Sequence, residues 1–353
     1  PHVQRLLRRL PGRGGMLQEA HAFLDGRDQL ELPLDAARWW QQVMWRHCLG
    51  KEISWEEASA IIEFRDAWVV ASVATLGEFS ISNVTFSLGS MNDQQDKYYQ
   101  QIRELLRGEV PEDVLDLVAQ GMLEAFCFAG GISVPTSITS ATAALFQDFM
   151  MEPVTEENVV PFVYEVTRLF PAVQGFPYWD KDGHRHIAYL NGALRDPNAW
   201  GPDSNRFTLK DVNLYREKHC GFANQAVGEN AGDSKYCPGM DAALAVCQAF
   251  VLVLGTWAKK GQRLESIWRP KEPIKPAHKP TWWCPFTLER LRGEDISLFQ
   301  IVMDSKQSGE ALLQNLGPEK LTAIFDRCDA DRDGVPDALA KMDVTTRLYQ
   351  WIA

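Results

Sequence analysis

Cys237 stands directly before Pro238-Gly239 and a nearly all-apolar run, "MDAALAVCQAFVLVLGTW", that reads as a helix. A sulfur in front of a helix N-terminus meets unsatisfied backbone N–H groups and the positive end of the helix dipole. That setting favours a thiolate and suits a metal ligand or a nucleophile. In isolation such a cysteine is more often a small buried residue. A nucleophile would need a base in reach, and the nearest histidine, His219, lies in a separate stretch. Glu165 and Arg168, in "VYEVTRLFP", stand at i and i+3, where a carboxylate and a guanidinium share one helix face. Alone, that spacing describes a common surface pair. A third constellation, "DADRDGVPD", alternates Asp329, Asp331 and Asp333, then places Gly334 and Asp337. Oxygen ligands at positions 1, 3, 5 and 9 with glycine at 6 are those of a calcium loop. Position 12 is Ala340 where a bidentate glutamate is expected. The site is therefore weak for Ca2+, and an acidic solvated turn is its even-handed alternative. Asp182, His184 and His186 read as a solvent-facing turn rather than a zinc site.

These groups belong to a chain of 353 residues, 45% hydrophobic and 24% charged, which can bury a sizeable core. Its net charge is −11 and its 36 basic residues are scattered, the densest group being "RLLRRLPGRG". No stripe tracks a phosphate backbone, so nucleic acid is not an expected partner. The seven cysteines form no CxxC pair. An odd, unpaired set fits a reducing intracellular compartment, cytoplasm or plastid, rather than a disulfide framework. The run from Ala242 to Trp257 contains Gln248 and falls short of the roughly 20 residues that span a bilayer. It is expected to be a buried helix and no transmembrane anchor.

The elements that must position these residues are mostly helical. "LDAARWWQQVMWRHCLG" spaces apolar residues by three and four, with Asp35 as a candidate cap and Gly50 as a stop. "SWEEASAIIEFRDAWVVASVATLG" and "DKYYQQIRELLRGE" follow as helices, whereas "FSISNVTFSLGS" is strand-like or irregular. From Pro111 to about Met150 runs a long helical pattern with Gly130, Gly131 and Pro135 in its middle. Two adjacent glycines cost a helix about 2 kcal/mol relative to alanine. Either two helices cross closely there, or a flat ligand lies against exposed backbone. The stretch "NGALRDPNAWGPDSNRF" is turn-rich, residues 269–285 read as a Pro-rich linker, and residues 286–353 as a small helical segment with the calcium-type loop.

Taken in order, Glu165-x-x-Arg168 with Pro171, Arg195-Asp196-Pro197 and Trp200 before "PDSNRF", and Cys237-x-Gly239 resemble the cytochrome P-450 superfamily of haem-thiolate proteins. The resemblance is specific over residues 111–257 and looser before that, and covers residues 1–268 as one domain. It implies a mainly α-helical P-450-like fold with minor β-structure, missing part of the family's N-terminal elements. It further implies haem b with Cys237 as axial thiolate, Lys235 at a propionate, and a triad of Glu165, Arg168 and Arg206 locking the ligand loop. The helix carrying Gly130-Gly131 would cross the haem face.

Where oxygen-activating members of that family place an acid-threonine pair, this chain has Ser133 and Val134. Phe126-Cys127-Phe128-Ala129-Gly130-Gly131 and Cys237-Pro238-Gly239-Met240-Asp241 resemble the allene oxide synthase and hydroperoxide lyase branch. By that resemblance Cys127 occupies the position of the catalytic asparagine, and Phe126, Phe128, Ile132 and Val134 form the pocket wall. The expected activity is rearrangement of a fatty-acid hydroperoxide without O2 or reductase. The alternatives are an O2-dependent monooxygenase, which would need a reductase partner, and a non-catalytic paralogue that binds haem or calcium.

Overall fold

The computed structural model describes residues 2–75, 88–147, 154–173, 175–179, 181–222, 237–255, 267–275 and 285–291. Two short helices, α1 (His2–Leu7) and α2 (Arg13–Leu24), lead into strand β1 (Gln29–Leu32) and then α3 (Leu34–Leu49). Asp35 lies inside α3, where its carboxylate accepts from the Glu31 N–H (2.8 Å) and from Arg38 (3.2 Å). Gly50 ends the helix at φ +67°, a left-handed conformation that glycine adopts without a Cβ penalty. Next come α4 (Trp55–Thr75), α5 (Leu88–Leu106) and α6 (Glu112–Glu124), which continues through a π-helical turn (Ala125–Ala129) into α7 (Gly130–Phe146).

The π-turn explains the paired glycines. With one extra residue in the turn, a Cβ on Gly131 would overlap the Phe126 carbonyl oxygen, and one on Gly130 would lie 2.9 Å from the Ala125 carbonyl oxygen. Neighbouring helices satisfy the backbone that this irregularity frees. Gln41 of α3 donates to the Phe126 carbonyl at 2.8 Å. Pro135 has no N–H to give the carbonyl of Gly131 four residues earlier, and Arg65 of α4 donates to it instead, at 2.8 Å. Replacing Gly131 by alanine must push back the turn, and a loss of about 1–3 kcal/mol is expected, measurable by denaturant unfolding.

Helix α8 (Val159–Leu169) follows, then the hairpin β2 (Gly175–Trp179) and β3 (Arg185–Tyr189), and the short α9 (Leu190–Ala193), α10 (Pro197–Trp200) and α11 (Val212–Lys218). A 3-10 turn at Cys220–Phe222 precedes α12 (Met240–Gly255), which packs on α2, α7 and α8. Having neighbours on several faces explains why α12 is apolar nearly all round. The Glu112–Phe146 helix is long and apolar enough, by length and composition, to cross a bilayer. Here its C-terminal half packs against α3, α8 and α12, with Ser137 to Ala144 buried.

Strands β4 (Ile267–Pro270) and β5 (Phe286–Leu291) correct the expected linker and helical segment at their described ends. β5 is the central strand of an antiparallel sheet in the order β1-β5-β4, with Leu30 opposite Leu288 and Leu32 opposite Phe286. Phe286 and Leu288 are both buried, a period of two that suits a strand rather than a helix. Asp329, Asp331, Asp333 and Asp337, and most of the strand-like run at 79–90, lie outside the described residues; the last three residues of that run, 88–90, are corrected, since they form the start of α5.

Candidate functional site

Cys237 sits on the wall of a cavity of about 680 Å³, a size typical of cofactor and small-ligand sites. Pro238, Gly239, Ala242 and Ala243 line the wall beside it, and Ala125, Ala129, Gly130, Ser133, Val134 and Ser137 line it from the π-turn and α7. Burial pushes the Cys237 thiol up, and the Gly239 and Met240 N–H groups pull it down without fully offsetting this. The helix N-terminus therefore supplies donors to the sulfur, yet a cation facing it is what would make the thiolate the resting form.

Helix α8 carries a buried ionic lock. The side chains of Glu165 and Arg168 are both 0% exposed. Arg168 uses all five of its N–H donors. Two go to Glu165 at 2.7 Å each, and three to the carbonyls of Leu194 (2.7 Å), Ser204 (2.6 Å) and Arg206 (3.3 Å). Glu165 also accepts from Tyr215 Oη (2.8 Å), the Thr208 N–H (2.9 Å) and Lys210 Nζ (3.3 Å). Burial raises the Glu165 carboxyl, but Arg168, Thr208 and Tyr215 together hold it below the usual carboxylate range.

The expected triad needs correction at its third member. The Arg206 side chain is 80% exposed and pairs with Asp203 at 3.4 Å, so only its carbonyl joins the lock. Lys210 is the second cation at Glu165. The reason lies in the turn: the Arg206 N–H donates to the Asp203 carbonyl, and the arginine's side chain stays with the aspartate of that turn.

Cys127 is a second correction. It is 1% exposed in the core, does not line the cavity, and burial pushes its thiol up to about 12. The lining positions on either side of it are 124, 125, 129, 130, 133 and 134, and the π-turn leaves Phe126 and Cys127 facing away from them. Phe126 packs on Trp45 at 5.6 Å between ring centroids. Of the expected wall residues only Val134 lines the cavity, while the side chain of Phe128 lies outside the described ones. Gly130 lines the cavity and Gly131 is buried behind it. Ser133 lines it too, but its hydroxyl donates back to the Ala129 carbonyl. Lys235 lies outside the described residues.

Trp40 and Thr167 carry no sequence signal as cavity groups, and His219, in a stretch separate from Cys237, joins them. Trp40 Nε1 is buried without a hydrogen-bond partner among the described residues, and it lies 3.7 Å from a Cβ built on Gly130. Thr167 and His219 line the cavity as well. A tryptophan at helical core spacing carries no signal separating a ligand-facing N–H from a packed ring.

No family model matches the chain, and no curated sequence matches it significantly. Among solved structures it is similar to P450BioI in complex with hexadec-9Z-enoic acid ligated acyl carrier protein, at TM-score 0.56 and 14% identity over 82% of this chain and 78% of that one. It is similar to epothilone D-bound P450epoK at TM-score 0.57 and 15% identity, over 82% of this chain and 75% of that one. An OleT variant in complex with arachidonic acid matches at TM-score 0.54 and 13% identity, over 83% of this chain and 74% of that one. The fold is that of the cytochromes P450.

Within that P450 fold the residues present fit a haem. The cavity offers a soft sulfur donor held by two amide N–H groups, a wall of small residues and bare backbone at Ala129-Gly130, and an unpartnered Trp40 N–H that could meet an acidic substituent. The Glu165–Arg168 lock fastens the segment from Leu194 to Tyr215 that leads toward the cysteine loop.

Proposed function

We propose that this chain is a haem-thiolate oxidoreductase of the P450 type, acting on a lipid hydroperoxide. The observation that carries the first part is the position of Cys237 at the head of α12, on the cavity wall shared with the glycine-bearing turn of α6 and α7. Bound through that sulfur, haem would supply an iron centre able to cleave an O–O bond.

The protein's own residues account for the rest. The Gly239 and Met240 N–H groups pull the Cys237 thiol down and would help hold charge on its sulfur. Trp40 Nε1–H would take a propionate. Ala125, Ala129 and Val134 present an apolar face to the substrate. Support for the hydroperoxide reading comes from Ser133, whose hydroxyl is engaged with its own helix, and from Val134 beside it. The acid on this wall, Glu124, stands nine residues before Ser133, so the bend lacks an adjacent acid and hydroxyl pair to relay protons to bound oxygen. A substrate bringing its own O–O bond needs no such relay and no reductase. The lipid class is supported by the apolar wall and by the fatty acyl ligands held by P450BioI and the OleT variant.

The test is consumption of a fatty-acid hydroperoxide by haem-loaded protein without reductant. The wild type is expected to turn over and Cys237→Ala to fall to the level of free haem. Turnover that appears only with NADPH and a reductase would establish the monooxygenase reading instead. Calcium binding at Asp329 to Asp337 is a separate proposal, checked by calorimetric titration of the full chain with Ca2+.

A further inference from the structure

His219 is 3% exposed, yet it lines the cavity and both of its ring nitrogens are engaged. The Gly221 N–H donates to Nδ1 at 3.2 Å, so Nδ1 carries the lone pair and the proton sits on Nε2. Nε2 is 3.1 Å from Thr167 Oγ1, which accepts that proton and in turn donates to the Val163 carbonyl at 3.0 Å. The imidazole also stacks on Phe222, 5.5 Å between centroids, and meets the edge of Tyr164 at 5.8 Å. Phe222 closes the chain of contacts, because its carbonyl receives the Cys237 N–H at 3.1 Å.

We infer that His219 is a positioning residue for Cys237. As the Nε2–H tautomer it fastens the Cys220–Phe222 turn to α8, and the turn's last carbonyl holds the cysteine amide, setting where the sulfur sits on the cavity wall. The helix whose Glu165 and Arg168 hold the Leu194–Tyr215 segment thus takes a second grip, through Thr167, on the turn that receives the Cys237 amide. Two grips on one rigid helix restrain the sulfur as packing alone would not, since a hydrogen bond constrains direction as well as distance. Burial keeps the imidazole neutral, as the Gly221 contact requires. For the haem-bound protein the inference rests on the reading of Cys237 as iron ligand.

Two measurements separate the inference from that reading. The first is the rate at which iodoacetamide labels Cys237 in haem-free protein, followed by peptide mass. The second is the Soret position of the haem-loaded, reduced, carbon-monoxide-bound form. For His219→Phe, which keeps a flat ring and loses both hydrogen bonds, the labelling rate is expected to change about tenfold, the scale of one or two lost hydrogen bonds. The thiolate-type Soret band is expected to give way to the neutral-thiol type. His219→Gln, whose amide can both accept from Gly221 and donate to Thr167, is expected to stay near wild type in both. A folded His219→Phe with wild-type labelling and wild-type band overturns the inference. If His219→Phe does not fold, Thr167→Val decides: a smaller change in the same direction supports the inference, and no change overturns it. If wild-type protein shows no thiolate band, the haem-thiolate reading fails, and the labelling rates still judge the positioning role.

Discussion

Arg168→Ala is expected to destabilise the protein by about 3–5 kcal/mol, the cost of leaving a buried charge without its partner. Both members of the pair are fully buried, so water cannot replace the lost guanidinium. Glu165 would keep Lys210, Tyr215 and the Thr208 N–H, but the carbonyls of Leu194, Ser204 and Arg206 would lose a donor each. Each carbonyl left unsatisfied adds about 1–3 kcal/mol at most. The loss should fall on the segment from Leu194 to Tyr215, read as faster amide exchange there in native-state hydrogen exchange. Arg168→Lys should recover little, because one ammonium cannot reproduce a five-donor fork. Wild-type-like stability of Arg168→Ala in a denaturant titration would mean that the pair does not organise this region.

Mild acid is expected to weaken the fold before carboxylate titration alone would do so. Burial, the largest influence, holds His219 down to about 4, against an ordinary 6.5. The groups facing it are Thr167, Tyr164, Gly221 and Phe222, with Arg168 disfavouring and Glu165 favouring its protonation. The unfolded chain binds a proton on this histidine below pH 6.5 while the folded chain does not. Stability that is complete at neutral pH is therefore lost as pH falls from about 6.5 toward 4, by roughly 3 kcal/mol in all. Glu165 adds a more acidic component. Its folded pKa is depressed, so its contribution is present above the unfolded value and disappears as pH falls through the folded one. Unfolding free energies measured at pH 7, 5.5 and 4.5 should show the slope, and His219→Gln should flatten its upper part. A wild-type profile flat between pH 7 and 5 would contradict a buried neutral imidazole.

The acid effect and the arginine effect meet on α8. The helix carries Glu165, Thr167 and Arg168 within one turn and packs on α7, α11 and α12. Residues 165 and 168 close the lock with the Leu194–Tyr215 segment, and residue 167 holds the histidine of the turn whose carbonyl receives the Cys237 amide. A substitution on α8 is therefore expected to be felt at Cys237 without touching it.

Features that depend on local spacing were legible in the residues alone. The i, i+3 placement of Glu165 and Arg168, the helix behind Cys237, the stop at Gly50 and the long glycine-bearing helix all follow from residues a few positions apart. Ordered Glu-x-x-Arg, Arg-Asp-Pro and Cys-Pro-Gly motifs were enough to imply the fold. Features that depend on direction and burial came from the packed fold. It turned Cys127 into the core and Gly130 to the cavity, because a single π-turn rotates every later side chain around the helix axis. It made Lys210 rather than the Arg206 side chain the second cation at Glu165. It set β5 against β1, strands more than 250 residues apart in the chain. And it joined Thr167, His219, Phe222 and Cys237 into one connected path, since hydrogen bonds between distant segments leave no period in the sequence for a reader to find.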